Sequence, residues 1–530
     1  MTEVLHYIWL GILAVFQGHP LFTLAGIPIP AAPVMVLGGL LTGIAVGATP
    51  GLAGPMAMAI ALPILISAFG FSADALLPVF GFLIGIMKGS TVGGAVPAIL
   101  FNMPGTPDSL MTTLDGHPMA KAGQPRRALR IAQLSSVTGD TFSDLVLFVC
   151  APFLAVAVEA YLDLPEKTAL LILSISFIAA VMGNSMGKGL LSVALGLAAA
   201  FVGTGQALTP RLTFGVEQLS GGFSMVSAIL GVLIIGEILV GIERLWHASR
   251  FGKQEEEAPH DPAKDDLQPG DIRRIAPYVA RSAVIGTIIG ALPGVGSTLA
   301  ATLGYSLGKR RHAARSAPGD IPFGKGAPEG IASTEAANSA VSGANLIPVL
   351  SLGIPGNAAA VFLILAADSI GGFNPGPQVF HFTASQVNPE LVIAFGIFTL
   401  MSIGNILNWT IGGRFMRSMG VLAKIPGPIL LPVVLLVTLT AIYVQQTSFF
   451  ALWVTFGFGI LGYLFRRSDV PVLPFVIAFI LARPLEQTAR EAFSATGGDP
   501  WFLFHSVTSI VFMLAAAASV LFLGRKQGEG

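Results

Sequence analysis

The feature that most constrains this chain is a Pro-Gly pair that interrupts apolar sequence and recurs in two matching halves. The first half contains Pro50-Gly51 and then Pro104-Gly105, and the second contains Pro293-Gly294 and then Pro355-Gly356. Both residue types break helices, and inside a bilayer the freed backbone groups must be buried in protein or line a cavity. Matching breaks in two halves are typical of the ligand site of membrane transporters.

The composition places the chain in a membrane. It is 53% hydrophobic and 11% charged, with a mean hydropathy of +0.76. Its repeated apolar runs of roughly 17–25 residues are long enough to cross a bilayer. The formal net charge is zero, so no basic surface indicates a nucleic-acid partner. The single cysteine, Cys150, excludes an intramolecular disulfide and a thiolate metal cluster.

Loop charges predict how the two halves are oriented. Lys and Arg in short loops mark the cytoplasmic side of a membrane protein. The break at Pro104-Gly105 is followed by a basic loop at 121–130. The break at Pro355-Gly356 is followed by the segment 374–390, which contains no Lys or Arg. We therefore expect two repeats of opposite orientation, with the C-terminus in the cytoplasm.

These observations predict an all-α polytopic membrane protein with two inverted-topology repeats, discontinuous or re-entrant helices, and roughly 10–12 spans. The charged linker between the repeats is either a solvated connector, which is the favoured interpretation, or a docking surface for a partner. The expected order is an N-terminal segment (1–32), transmembrane repeat 1 (33–242), the cytoplasmic linker (243–274), transmembrane repeat 2 (275–485), and a C-terminal helix and tail (486–530).

Four glycines and one lysine stand out in the first half. Gly81, Gly85, Gly89 and Gly93 recur at every fourth residue, which on a helix gives a smooth seam for a neighbouring helix. Packing is the favoured interpretation of this seam. Lys88 lies beside it in an almost uncharged run, where a buried ammonium would suit a carboxylate substrate. The alternative is a lysine that snorkels to the membrane interface.

Polar residues surround the later break in each half and predict a substrate site. Free N–H groups at the start of a half-helix favour an anionic ligand. The earlier pairs, Pro50-Gly51 and Pro293-Gly294, are interpreted as hairpin breaks. The predicted substrate-binding residues are Lys88, Asn102, Pro104, Gly105 and Thr106 in the first half, and Ser351, Gly353, Pro355, Gly356 and Asn357 in the second.

Oxygen ligands for a coupled cation are also present. Carbonyl groups freed at a helix break, together with Asn or Asp oxygens, suit a hard cation such as sodium. Glu335 and Asn338 begin a row, continued by Ser342 and Asn345, that shares one helical face. This row either lines a cavity, which is favoured, or joins helices. The ion-binding candidates are Asp108, Glu335 and Asn338, and apart from a coupled Na+ or H+ we expect no cofactor or metal.

Enzyme signatures are weak. The sequence Gly183-Asn-Ser185-Met-Gly187 matches the G-x-S-x-G pattern, but it follows an apolar span rather than a strand. No H-E-x-x-H motif or nucleotide-binding Walker A loop occurs. The sequence therefore predicts neither a hydrolase nor an ATP-driven pump.

Six ordered motifs stand out along the chain. They are Gly47-Ala-Thr-Pro-Gly51, Asn102-Met-Pro-Gly-Thr106, Leu114-Asp-Gly-His-Pro-Met-Ala120, Gly290-Ala-Leu-Pro-Gly294, Glu335-Ala-Ala-Asn-Ser-Ala340 and Leu350-Ser-Leu-Gly-Ile-Pro-Gly356. At these motifs, over roughly residues 20–490, the chain resembles the large membrane subunit of the tripartite tricarboxylate transporter family. The resemblance implies a bacterial inner-membrane uptake system with a small membrane subunit of about four helices and a periplasmic solute-binding protein.

The expected function is secondary active, ion-coupled uptake of a carboxylate, tricarboxylate-like or another organic acid, by alternating access. The site would lie between the broken segments near the middle of the bilayer. Two alternatives stay open: a channel-like anion pore built from the same broken helices, and, less favoured, an intramembrane enzyme that would use Ser185 or a histidine.

Overall fold

The chain folds almost entirely into helices. The computed structural model describes residues 2–18, 20–24, 26–49, 52–182, 185–203, 210–248, 266–292, 296–315, 320–381, 387–419 and 427–523. It is 81% helical, which confirms the predicted all-α class. Two compact units are present, and each is described by itself. Unit 1 comprises Met1–Phe153, Ala248–Leu292 and Gly296–Pro432, and unit 2 comprises Leu154–His247 and Val433–Gly530.

The elements of the first half begin with a helix and a short antiparallel hairpin. The hairpin is formed by β1 (Pro20–Leu24) and β2 (Ile27–Pro30). The helices are α1 (Thr2–Gln17), α2 (Ala31–Gly47), α3 (Gly54–Phe69), α4 (Leu76–Phe101), α5 (Thr113–Lys121), α6 (Pro125–Tyr161), α7 (Leu164–Met182), α8 (Met186–Ala200), α9 (Met225–Leu230) and α10 (Gly236–Ala248).

The second half is built from helices throughout its described residues. They are α11 (Pro269–Gly290), α12 (Ser297–Arg315), α13 (Pro328–Ala344), α14 (Leu346–Leu352), α15 (Ala358–Ile370), α16 (Pro389–Leu407), α17 (Gly413–Ser418), α18 (Gly427–Gln446), α19 (Phe449–Arg467), α20 (Val472–Ala495) and α21 (Val507–Ala518). A π-helical turn joins α9 to α10 and another joins α16 to α17, so each pair is one longer helix.

Six helices among the described residues are long and apolar enough to cross a membrane. They are Ala73–Phe101, Pro125–Tyr161, Met225–Glu243, Pro389–Ser418, Phe449–Arg467 and Val472–Ala495. Six further apolar helices are shorter, among them α2, α3 and α15. Short helices of this kind are expected where a span is interrupted by a break, as the Pro-Gly pattern predicts. The number of 10–12 spans stays a prediction.

Unit 1 contains two copies of one helix arrangement. In the first copy α2 packs along α4, and in the second α11 packs along α13. The contacts repeat residue for residue, and in each case a glycine lies so close to the facing backbone that a side chain would overlap it. These contacts are Gly43 and Gly47 of α2 against Ile86 and Ser90 of α4, and Gly286 and Gly290 of α11 against Ala337 and Val341 of α13.

The two copies also exchange their later segments. The 3₁₀ helix Pro107–Thr112, which follows the break after α4, packs against α12 and α13 of the second copy. Helix α15, which follows the break after α14, packs against α3 and α4 of the first copy. A reciprocal exchange of this kind is the contact pattern of two related halves that share one interface. The opposite orientation of the copies stays a prediction drawn from the loop charges.

The predicted glycine seam packs helices together, as the favoured interpretation holds. Gly85, Gly89 and Gly93 of α4 face the backbone carbonyl groups of Val36, Leu40 and Ile44 in α2, with no room for a side chain. The predicted segment boundaries stay predictions, and most of the charged linker, residues 249–265, lies outside the described residues.

Unit 2 has an aromatic core and a bidentate ion pair between Arg211 and Glu486. Phe458 of α19 lies edge-on or tilted against Phe475 and Phe479 of α20. Arg211 binds Glu486 with two hydrogen bonds of 2.9 and 3.0 Å. A bidentate arginine–carboxylate pair fixes both side chains, so it ties the 210–224 segment to α20.

We predict that Gly89→Val lowers the stability of the protein. Its added atoms would push against the Leu40 carbonyl, so the expected loss is about 1–3 kcal/mol. The measurement is the thermal unfolding midpoint of the purified protein in detergent. Gly457→Val is the matched control, because a side chain at Gly457 meets nothing within 4 Å. Equal midpoints for the two variants would contradict the close helix contact.

Candidate functional site

The first break is a helix end closed by a left-handed residue. Helix α4 ends at Phe101, and Asn102 takes the left-handed conformation, with φ 54°. The Met103 N–H donates to the Pro97 carbonyl at 3.2 Å, which turns the chain away from the helix axis. Pro104 and Gly105 follow, and Thr106 begins the next helical segment, where the Ser109 hydroxyl donates to the Thr106 carbonyl at 2.9 Å.

The second break has the same construction. Helix α14 ends at Leu352, and Gly353 takes the left-handed conformation, with φ 71°. The Ile354 N–H donates to the Pro348 carbonyl at 3.1 Å, and Asn357 caps α15 by accepting from the Ala360 N–H at 2.9 Å. Each residue of the second break is separated from its counterpart in the first by the same number of positions, as Gly353 is from Asn102 and Ile354 from Met103. The repeated Pro-Gly sequence is therefore a repeated backbone structure.

Close packing explains the glycine of each Pro-Gly pair. A side chain on Gly105 would meet the Gly47 carbonyl and the Pro97 ring. A side chain on Gly356 would stand 3.0 Å from the Asn345 side-chain oxygen. At the second break, the Pro-Gly glycine therefore lies next to a polar side chain, that of Asn345.

The side chains of two predicted substrate-binding residues, Ser351 and Asn102, lie in different environments. The Ser351 hydroxyl is fully buried and donates to the Ile347 carbonyl at 2.5 Å, within its own helix. The Asn102 side chain is exposed. The predicted hairpin breaks Pro50, Gly51, Pro293 and Gly294 lie outside the described residues.

A row of buried polar groups without protein partners follows α13 toward the second break. Asn338, Ser342 and Asn345 are at most 7% exposed, and none of their side-chain nitrogen and oxygen atoms has a hydrogen-bond partner in the described structure. The buried Thr106 hydroxyl, after the first break, has none either. Buried polar groups are normally paired, so such a row is the expected lining of a site for a polar ligand.

The predicted ion candidates occupy different positions. Glu335 is fully buried, and its two oxygens accept from the hydroxyls of Thr112 and Ser136, the latter at 2.7 Å. Asn338 lies on the same face of α13, one turn later. Asp108 accepts from the Thr298 hydroxyl at 2.6 Å, in a more exposed position. Glu335 and Asn338 are thus brought together with the polar row, whereas Asp108 is bound to α12.

Lys88 is enclosed rather than placed at an interface. Its ammonium lies 2.8 Å from Asp140 Oδ2, 2.6 Å from Asp144 Oδ2 and 3.0 Å from Asn405 Oδ1, and its side chain is 0% exposed. The lysine therefore does not snorkel. Its three protons are all taken by these acceptors, so the arrangement offers none to a substrate carboxylate, unlike the predicted contact.

Sequence reasoning missed Asp140 and Asp144. Both lie in α6, and Asn405 also donates to Asp144 Oδ2 at 2.7 Å. The sequence places the start of this span near residue 145, which left both carboxylates outside it. The signal that could have found them is their spacing of four residues, which puts both on one face of a helix that continues into the apolar run.

Asp115 organises the loop that precedes α13. Its Oδ1 accepts from the backbone N–H groups of Gly324, Gly326 and Ala327 at 2.8, 2.9 and 2.8 Å. Burial raises the pKa of the Asp115 carboxyl, although these three donors and the Tyr305 hydroxyl act in the opposite direction. Sequence alone does not predict this role of Asp115, because the loop that it binds lies far away along the chain.

Comparison with known proteins agrees with this architecture. The profile described as "Tripartite tricarboxylate transporter TctA family" matches residues 34–477. The chain belongs to this family. The family is that of the large subunit of a tripartite transporter, so the chain is a multi-pass membrane component that works with a small membrane subunit and a binding protein. The family also points away from an enzyme.

Two relatives come from Agrobacterium vitis. An uncharacterized 52.8 kDa protein in the TAR-I ttuC' 3' region is 31% identical over 511 residues, which cover 92% of each chain. An uncharacterized protein in the TAR-II ttuC' 3' region is 31% identical over 218 residues, which cover 40% of this chain and 83% of the relative. No solved structure matches.

We predict that Asp115→Asn loosens the loop before α13. A neutral amide oxygen holds three N–H groups less strongly than a carboxylate, so the loop should lose about 1.5–3 kcal/mol of local stability. Lys325 lies exposed in this loop, and its cleavage by trypsin in detergent solution should become at least tenfold faster. Asp74→Asn, at an exposed position, is the control. Unchanged cleavage at Lys325 would contradict the role of Asp115.

Proposed function

We propose that the protein carries out secondary active, ion-coupled uptake of a carboxylate that a periplasmic binding protein delivers. The observation that supports this most is the row of buried, unpaired polar groups, Asn338, Ser342 and Asn345, which ends beside the second Pro-Gly break. A transported ligand must be bound without a permanent charge partner that would hold it too tightly. Neutral amides and hydroxyls in a buried site meet this requirement.

The groups around the row suit an anion. Asn345 and Asn338 can each turn an amide N–H2 toward carboxylate oxygens, and the Ser342 and Thr106 hydroxyls can donate as well. The first turn of α15 begins at Asn357 and adds N–H groups and the positive end of a helix dipole. We place the substrate at this point, with Thr106 contributing from the first break and Gly356 allowing close approach.

Coupling requires a cation site near the substrate. Glu335 and Asn338 supply oxygens on the same face of α13, and Na+ or H+ at Glu335 would remove the cost of its buried charge. Asp108 is the second candidate, at the start of the segment after the first break. No resident cofactor is required for transport of this kind.

Alternating access follows from the repeated construction. Two copies with the same internal contacts can adopt two related arrangements, which open the site to one side and then to the other. The protein would lie in a bacterial inner membrane, with its C-terminus in the cytoplasm, as the loop charges predict. The small membrane subunit of about four helices and the binding protein complete the system.

We predict that Asn338→Ala and Asn345→Ala weaken uptake without loss of stability. These side chains make no protein hydrogen bond in the described structure, so their removal should leave the thermal unfolding midpoint unchanged or higher. Loss of one contact to a charged ligand should raise the half-saturation concentration about 10- to 100-fold. The measurement is uptake into proteoliposomes that contain the complete complex, with radiolabelled citrate as the first probe and a panel of di- and tricarboxylates after it.

The control for these variants is Asn374→Ala, at an exposed loop position. Normal uptake by both site variants would show that the row is not the substrate site. Uptake that neither saturates nor depends on the binding protein would favour a channel. Loss of activity in Ser185→Ala alone would favour an enzyme.

A separate prediction concerns Asn102, whose backbone is left-handed. Asn102→Gly should fold normally, because the matching residue in the second break is Gly353 and glycine adopts this conformation freely. If the side chain binds substrate, uptake by Asn102→Gly should fall tenfold or more. If it serves only the backbone conformation, Asn102→Gly should transport normally while Asn102→Ala loses stability, which the unfolding midpoint would reveal.

A further inference from the structure

Three buried charged groups in unit 1 do not balance. One ammonium, that of Lys88, faces two carboxylates, those of Asp140 and Asp144, and among the described residues the only other polar partner is the neutral amide of Asn405. The side chains are 0%, 4% and 1% exposed. With both carboxylates ionised the cluster holds one excess negative charge. An unbalanced charge in such a site costs several kcal/mol.

Among the described residues, no positive group other than Lys88 forms an ion pair with Asp140 or Asp144. Lys88 is the only titratable residue of α4, and α2, which packs along it, has none. On α16 the only one is Glu390, in the first turn. Helix α13 contributes Glu329, which is paired with Arg274, and Glu335, which is bound by two hydroxyls. Arg130 of α6, and Arg414 and Arg417 of α17, which packs on α4, are not among the described partners of the two carboxylates. The excess negative charge is therefore not neutralised by any described ion pair.

Water does not reach the cluster from the outer face of α6. Leu145, Val149 and Phe153 follow one another on that face and are 59%, 72% and 78% exposed. Exposed apolar side chains on a membrane helix face lipid. The carboxylates point to the opposite face, into the protein, so solvent cannot screen them.

Each carboxylate keeps one oxygen free for a further ligand. Asp140 Oδ1 and Asp144 Oδ1 are buried and have no hydrogen-bond partner among the described residues, whereas both Oδ2 atoms bind Lys88. These free oxygens are a second observation, independent of the charge count. Both observations indicate a cation that binds at an Oδ1 atom.

We propose that Asp140 takes up and releases a coupling proton on its Oδ1 atom, as a second ion site beside the one proposed at Glu335 and Asn338. The proton cancels the excess charge and leaves Lys88 paired with an ionised Asp144. Asp140 rather than Asp144 carries the proton because Asp144 Oδ2 accepts from both Lys88 and Asn405, whereas Asp140 accepts from Lys88 alone. More donors stabilise the ionised form of Asp144.

The site is connected to the polar row through α6. One turn before Asp140, Ser136 donates to Glu335 of α13, and between them Gly139 lies against the Ala336 backbone. One turn after Asp140, Asp144 lies against Gly343. A proton that changes the attraction of Lys88 for Asp140 therefore changes the force between α4 and α6, and α6 is packed on the helix that carries Asn338 and Asn345.

Infrared spectroscopy tests the proton directly. In the reconstituted complex, a change from acidic to alkaline buffer should remove a carboxylic acid C=O band from the wild-type spectrum. Asp140→Asn should lack that component, whereas Asp163→Asn, at an exposed loop position, should keep it. The full band in Asp140→Asn, or no titrating band in the wild type, would overturn the proposal. Loss of the band on addition of sodium at constant pH would assign the site to Na+ instead.

Transport measurements test the coupling, and this part rests on the proposed carboxylate uptake. Radiolabelled citrate is the probe. Asp140→Asn should retain exchange of internal for external citrate, but its accumulation of citrate driven by a pH gradient should be at least tenfold lower than that of the wild type. Asp144→Asn should also uncouple, because Lys88 and Asp140 then balance without a proton. Gradient-driven accumulation at the wild-type level in both variants would overturn the coupling role.

The two proposals fail in different ways. If the wild-type complex transports neither citrate nor any other carboxylate of the panel, the proposed function is wrong, and the infrared result still decides whether Asp140 binds a proton. If the wild-type complex exchanges citrate normally and both variants still accumulate it at the wild-type level, the proposed function stands and the proton site is wrong.

Discussion

Close approach of helix backbones is the interaction on which the rest of unit 1 depends. Glycines of α2 and α4 face each other's carbonyl groups, and those of α11 face α13 in the same register. Without a hydrophobic driving force between helices in lipid, such contacts supply the packing that holds the helices in place. They bring α2 against α4 and α11 against α13. Lys88 lies on α4, and Asn338 and Ser342 lie on α13, so the charged cluster and the polar row are carried by these helices.

The buried polar groups divide into two classes. Asp115 Oδ1 and the Ser351 hydroxyl are hydrogen-bonded within the protein and serve the fold. Asn338, Ser342 and Asn345 have none among the described residues, and Asp140 and Asp144 each leave one oxygen unpaired. Unpaired polar groups cost free energy in a low-dielectric site, and a bound ligand or ion would offset that cost. The proposals for binding and coupling therefore rest on the pairing of the groups rather than on residue type.

Sequence patterns located much of the candidate site. The two later Pro-Gly pairs predicted the two described breaks. The spacing of Glu335, Asn338, Ser342 and Asn345 predicted one helical face; the first three lie in α13, and Asn345 is the residue that follows its end. Local patterns succeed here because a helix face and a helix end are decided within a few residues. The partners of Lys88 were beyond reach, since they lie 52, 56 and 317 positions away along the chain.

By itself the sequence determined the membrane class, the helical fold, the two later breaks with their matching residues, and the family. Each of these depends on composition, on local backbone preference or on ordered motifs. Only the tertiary structure decided that Lys88 serves two aspartates instead of a substrate, that Asp115 holds a distant loop, and that the Asn338 row is unpaired. The physical reason is that the pairing and burial of a side chain depend on which helices meet. In a chain this apolar, many different helix pairings would bury a similar amount of apolar surface.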